Sequence, residues 1–130
     1  HAEEVAPGLH ALSNASLDAD WPKARRAKRA LADWLQRQLQ NGPESLHPGT
    51  EPLFAALADT TPAEDAELPD TGVGIERERR LSSPFVVGDA YGTRCSTLVL
   101  ASSTGIEMSE HRFGPNRLSI GNGGFTQCET

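Results

Sequence analysis

An arginine on a strand with two apolar faces has the plainest claim to chemistry in this sequence. It is Arg94, in the run YGTRCSTLVL at 91–100. Alternate strand residues point to opposite faces, so Cys95, Thr97 and Val99 look one way and Ser96, Leu98 and Leu100 the other. Neither set suits water, which predicts a sheet strand covered on both sides. A guanidinium there must find a carboxylate, a carbonyl or a ligand. Arg94 therefore reads either as a site cation or as half of a structural ion pair. Cys95, beside it on the same strand, reads as a small core residue rather than a nucleophile. Asn14, in LSNASLDADW, stands where a short alternating segment turns towards a helix. An asparagine there either satisfies backbone groups at the turn or presents its amide to a site.

The remaining chemistry-bearing residues form no pattern of their own. His10 and His111 fall on expected strands and His1 and His47 in irregular sequence, with no metal-ligand spacing among them. Cys95 and Cys128 make neither a CxxC pair nor a zinc set, so no metal and no resident cofactor is expected. Gly72-Val73-Gly74 lacks the Lys-Ser/Thr of a phosphate loop and reads as a turn. Asn14-Ala15-Ser16 is formally a glycosylation sequon, read as accidental because no secretion signal opens the sequence. Lys23, Arg25, Arg26, Lys28, Arg29 and Arg37 cluster on one stretch, which reads as the solvated face of an amphipathic helix.

Composition narrows the classes. The formal charge of −6 argues against a nucleic-acid binder, which needs a basic face to displace counterions. No apolar run approaches the ~18 to 20 residues that span a bilayer. A soluble protein in a reducing, cytoplasmic setting is expected. With 37% hydrophobic and 5% aromatic residues the chain is thinly supplied for one domain, so part of its packing surface is expected to meet something outside it.

The elements that must position these residues follow from periodicity. A short strand is expected at 8–14, and Asp18 or Asp20 is expected to cap a helix at 21–40 with Pro22 in its first turn. Ala24, Ala27, Leu31, Trp34, Leu35 and Leu39 recur at spacings of three and four and lay an apolar stripe along it. Asn41-Gly42-Pro43 should end it, followed by a linker at 44–50. A short helix at 52–59 buries Leu53, Phe54 and Leu57, and Thr61-Pro62-Ala63-Glu64 has the form of a capping box. Residues 75–81 form a charged segment and 85–87 a short strand or edge. The strand from Tyr91 and the segment 106–113 form an antiparallel hairpin through Ser102-Ser103-Thr104-Gly105. The Gly-rich residues 114–130 read as a flexible tail. One strand at the start, two at the end and helices between give an α+β layered domain.

Three pieces, LSNASLDADWPKARRAKRAL at 12–31, LFAALADTTPAEDAELPDTGV at 53–73 and YGTRCSTLVL at 91–100, together resemble the C-terminal portion of NRDE proteins, the family of transport and Golgi organization protein 2. The resemblance assigns residues 1–113 to the C-terminal portion of the family domain. It implies an Ntn-hydrolase-like four-layer sandwich, with antiparallel sheets flanked by helices. In that superfamily an N-terminal Cys, Ser or Thr attacks the substrate while its own α-amine acts as base. This sequence begins at His1 and both of its cysteines are internal, so the N-terminal half of the same domain is the expected partner. By the same resemblance Asn14 stands where an asparagine helps bind the oxyanion, and Arg94 where an arginine lies near the nucleophile. The implied activity is an Ntn-type amidohydrolase or acyltransferase acting on non-peptide amides. The alternative is a non-catalytic carrier or trafficking protein for haem or lipid, with haem as cargo rather than cofactor. A lone half of such a sandwich would expose sheet faces and edges and self-associate into homo-oligomers.

Overall fold

The computed structural model describes residues 4–41, 49–103, 105–117 and 119–128. Helix α1 (Pro22–Asn41) starts with the proline at its first position, where a missing N–H leaves no bond unmade. Its apolar stripe buries Ala24 and Trp34, while Leu39 stays 85% exposed at the far end. The indole of Trp34 donates to the Gly49 carbonyl at 2.8 Å and so ties α1 to the entry of α2 (Glu51–Leu57). Leu53 of α2 is buried, and the ring of Phe54 stacks on His111 with centroids 3.8 Å apart.

That stack joins the helices to an antiparallel sheet of three strands, β1 (Cys95–Ser102), β2 (Gly105–Phe113) and β3 (Ser119–Cys128), in the order β1-β2-β3. The expected hairpin forms, and Ser102 opposite Gly105 closes it. A short 3₁₀ turn, Pro115–Arg117, precedes β3, with Asn116 and Arg117 both in left-handed geometry at φ 54 and 65. Asparagine adopts that conformation at little cost, whereas arginine needs compensation. The Arg117 guanidinium finds some over the ring of Phe85, 5.2 Å from its centroid. Phe85 is only 1% exposed and meets Phe113 edge-on at 4.8 Å. It is the packing centre beneath the sheet's lower end.

The α+β class is as the sequence predicts, but several elements differ. Segment 8–14 forms no strand, because its backbone groups are taken up locally. The Ala11 N–H donates to Asp18 Oδ1 at 3.0 Å, and the Asp18 N–H donates to the Ala11 carbonyl at 2.7 Å. Asp18 is thereby spent on this loop and does not cap α1. Residues 85–87 form no strand either, and Val86 instead pairs with Thr93 across a tight loop through bonds of 2.9 and 3.0 Å. The capping box is not formed, since the Thr61 N–H donates back to Asp59 Oδ1 and the next turn is the 3₁₀ segment Asp65–Glu67. Charged residues 75–81 fold as a helix, α3 (Ile75–Leu81). The Gly-rich residues 119–128, read as tail, pair along β2. Gly42, Pro43 and residues 44–48 of the expected linker at 44–50 lie outside the described residues, as do His1 and His47.

β1 also departs from its reading. Ser96 is buried and Leu98 and Leu100 are half-buried, but Cys95 and Thr97 are exposed and Val99 is 60% exposed. Described elements pack on one face only, the one shared by Ser96 and His111, against which Phe54 lies. Cys95 is therefore an exposed thiol and not a core residue. The basic side of α1 is not simply solvated. Arg26 donates to the Thr61 and Pro62 carbonyls at 2.6 and 3.1 Å, and Arg25 pairs with Asp20 and Glu67, so these side chains pin the 59–67 segment across the helix.

Candidate functional site

Helix α3 is a partition between two cavities. It starts after Gly74, at φ 85, a conformation that a side chain would strain. Glu76 and Glu78 occupy its first turn and Arg79 and Arg80 its last, each sign at the helix end that favours it. The Arg79 guanidinium grips Asp65 with two bonds of 2.7 and 2.6 Å, and its carbonyl accepts the Ser82 hydroxyl. Ser82 Oγ in turn accepts the Ala63 N–H at 2.8 Å. These bonds fix the short helix against the 63–65 segment. Leu81 lines cavities on both sides of it.

The first cavity, about 260 Å³, lies between α3 and the start of α1, and Asn14 stands on its wall with Trp21, Lys23, Thr71 and Glu78. Glu78 is 7% exposed, and its Oε1 accepts both the Thr71 N–H at 2.9 Å and the Thr71 hydroxyl at 2.5 Å. The Lys23 ammonium donates to the Leu81 carbonyl at 3.2 Å and lies 5.3 Å from the centroid of the Trp21 ring. Burial pushes the Lys23 amine below its ordinary range, while the charge of Glu78 works in the opposite sense. An ammonium and an amide that share a cleft with an indole suit a carbonyl or carboxylate oxygen attached to an apolar group.

Arg94 lies on the other side. It borders a hollow of about 50 Å³ with Asp89, Asn116 and Arg117, and its carbonyl accepts the Phe113 N–H at 2.8 Å. Among the described residues its guanidinium has no ion pair, so the structural-pair reading of Arg94 finds no partner there. Asn14 and Arg94 thus line separate cavities. Adjoining the hollow, a cavity of about 350 Å³ is lined by Arg77, Arg80, Leu81, Val86, Ala90 and Tyr91.

Lys23, expected on the solvated face of the first helix, instead lines the Asn14 cavity, and Glu78 carries no motif in the sequence. The available signal was the helical register of 75–81, which places Glu78 and Leu81 one turn apart on one face. A further cluster holds the segment that carries Asn14. His10 Nδ1 meets Asp18 at 2.6 Å, its Nε2 meets the Ala6 carbonyl at 2.8 Å, and Lys28 reaches the same Asp18 at 2.9 Å. Two acceptors on one imidazole favour its protonated form. The hydrogen bond to Asp18 first, then that to Ala6, raises the His10 pKa, and the bonds from His10 and Lys28 hold Asp18 well below the usual carboxylate range. Among the described residues no three His, Cys, Asp or Glu side chains converge to hold a metal ion. No helix there is long and apolar enough to cross a membrane.

The family model of Transport and Golgi organisation 2 matches residues 1–114. No curated protein and no solved structure matches the chain.

Proposed function

The chain belongs to the Transport and Golgi organisation 2 family, and from that premise we propose that it supplies the acyl-binding part of an amide-cleaving site of the Ntn type, an amidohydrolase or acyltransferase for non-peptide amides. The observation that carries the reading is the meeting of Asn14, Lys23 and Trp21 on one cavity beside the buried Glu78. In this reading the Asn14 amide and the Lys23 ammonium donate to the substrate carbonyl oxygen and to the oxyanion that forms from it. Trp21 packs on the apolar part of the acyl group. Glu78 holds Thr71 in place and keeps a negative charge near Lys23.

The hydroxyls on the cavity wall are already committed, Thr71 to Glu78 and Ser82 to Arg79. The reading therefore takes its nucleophile from the family resemblance, as an N-terminal Cys in the preceding half of the domain, whose second sheet would cover the exposed face of β1. Arg94 borders the separate hollow and takes no part in this cavity. The test is turnover of a panel of N-acyl amides by the full-length protein. Asn14→Ala should lower kcat about 10² to 10³-fold, as loss of one oxyanion donor does elsewhere, while Arg94→Gln, outside this cavity, should leave kcat unchanged. Unaltered turnover in Asn14→Ala would overturn the reading. A stoichiometric, saturable spectral change on adding haem, with no amide turned over, would favour the carrier instead.

A further inference from the structure

We propose that the cavity on the arginine side of α3 is a second binding site, for a small anion, either a carboxylate or a phosphate monoester, borne on an apolar body. Arg77 and Arg80 stand three residues apart on α3 and both line this cavity of about 350 Å³. Residues at that spacing are neighbours on a helix surface, so the two guanidinium groups serve one opening. Neither side chain makes an ion pair or hydrogen bond among the described residues, whereas Arg79 between them is held by Asp65 and Glu76. The helix thus spends one arginine on its own anchorage and keeps two for the cavity.

The walls match such a ligand. Leu81, Val86, Ala90 and Tyr91 supply apolar surface, and no acidic side chain lines the cavity, although the chain carries 18 acidic residues and a net charge of −6. The opposite wall is built close to the cations. A Cβ at Gly88 would stand 2.5 Å from the Tyr91 carbonyl oxygen and 3.2 Å from Arg80 Nη2, so the 86–93 loop folds tightly on itself beside that guanidinium. Planar guanidinium groups recognise carboxylate and phosphate oxygens through paired bonds, and a half-enclosed apolar site strengthens them. The volume lies at the low end of small-molecule sites, which suits a body of about one ring.

Calorimetric titration of the full-length protein with phenyl phosphate, benzoate and inorganic phosphate tests the assignment. Phenyl phosphate or benzoate should bind saturably at a site that Asn14→Ala leaves intact, and whichever binds tighter there names the head group. Inorganic phosphate should bind at least about tenfold more weakly than phenyl phosphate, because it leaves the apolar wall uncovered. Arg77→Gln with Arg80→Gln should weaken binding at least about tenfold. Tyr91→Ala should weaken the aryl ligands and leave inorganic phosphate unchanged, which separates loss of the wall from loss of the fold. Absence of saturable binding by both aryl probes, or binding unaltered in the double variant, would overturn the proposal. Amide turnover is the independent readout, since neither arginine belongs to the Asn14 cavity.

Discussion

The two sides of α3 are built from neighbouring residues and do opposite things with charge. On the Asn14 side every charged group is engaged within the fold, with Glu78 holding Thr71 and Lys23 bonded to the Leu81 carbonyl beside Trp21. On the other side Arg77 and Arg80 have no partner among the described residues. A helix of seven residues cannot present one character all round, and its register decides which cavity each residue serves. Buried charge has to be satisfied at once, whereas exposed charge at a cavity rim is left to meet a ligand. The first side is therefore organised to position a group, and the second to recruit one.

Substitutions can break this contrast. Phe85→Ala should have the largest effect, a loss of about 3–5 kcal/mol in urea unfolding, because it empties the packing centre under the loop that walls the arginine cavity. Glu78→Ala should cost about 1–3 kcal/mol by the same measurement, since it leaves the Thr71 N–H and hydroxyl without their acceptor. Arg77→Gln and Arg80→Gln should each stay within about 0.5 kcal/mol of the parent, being exposed and unpaired. A destabilisation by these exposed variants equal to that of Glu78→Ala would erase the contrast.

A local pH effect should sharpen the contrast, and it should fall on the Asn14 side alone. The folded-state pKa of His10 is raised above its ordinary 6.5, so its contribution is complete below that value and is lost as pH rises through the folded pKa. The Asp18 value is lowered from 3.8, so its contribution is present above that value and is lost as acid protonates it. The protection factors of the Ala11 and Asp18 amides, with intrinsic exchange divided out, should therefore be largest between about pH 4 and 6.5. They should fall above that window, while the Thr93 amide, bonded to Val86 near the arginine cavity, keeps its protection factor. Protection at Ala11 that is flat from pH 5 to 9 would contradict the His10 bond.

Much of this architecture was legible from periodicity. The α1 stripe, its first-turn proline and the Ser102–Gly105 hairpin are local patterns, and each formed where expected. The α3 helix was not legible, because seven residues that carry five charges have no apolar period and depend on the anchor between Arg79 and Asp65. Asn14 and Arg94 were visible as residue types at ends of segments, but their placement in separate cavities was not. Lys23 reads from spacing only as part of a basic helix face and Glu78 belongs to no local motif, and only packing brings the start of α1 against α3.

By itself the sequence determined the family, the long helix, the hairpin and Asn14 as a candidate, since these follow from short-range spacing and from a resemblance carried in contiguous runs. Tertiary structure alone decided which face of β1 is covered, that Cys95 is exposed, and that α3 sets a self-satisfied cleft against a pair of unpaired arginines. The physical reason is that burial and charge pairing depend on neighbours distant in the chain. One turn of a helix is enough to send adjacent residues to different cavities.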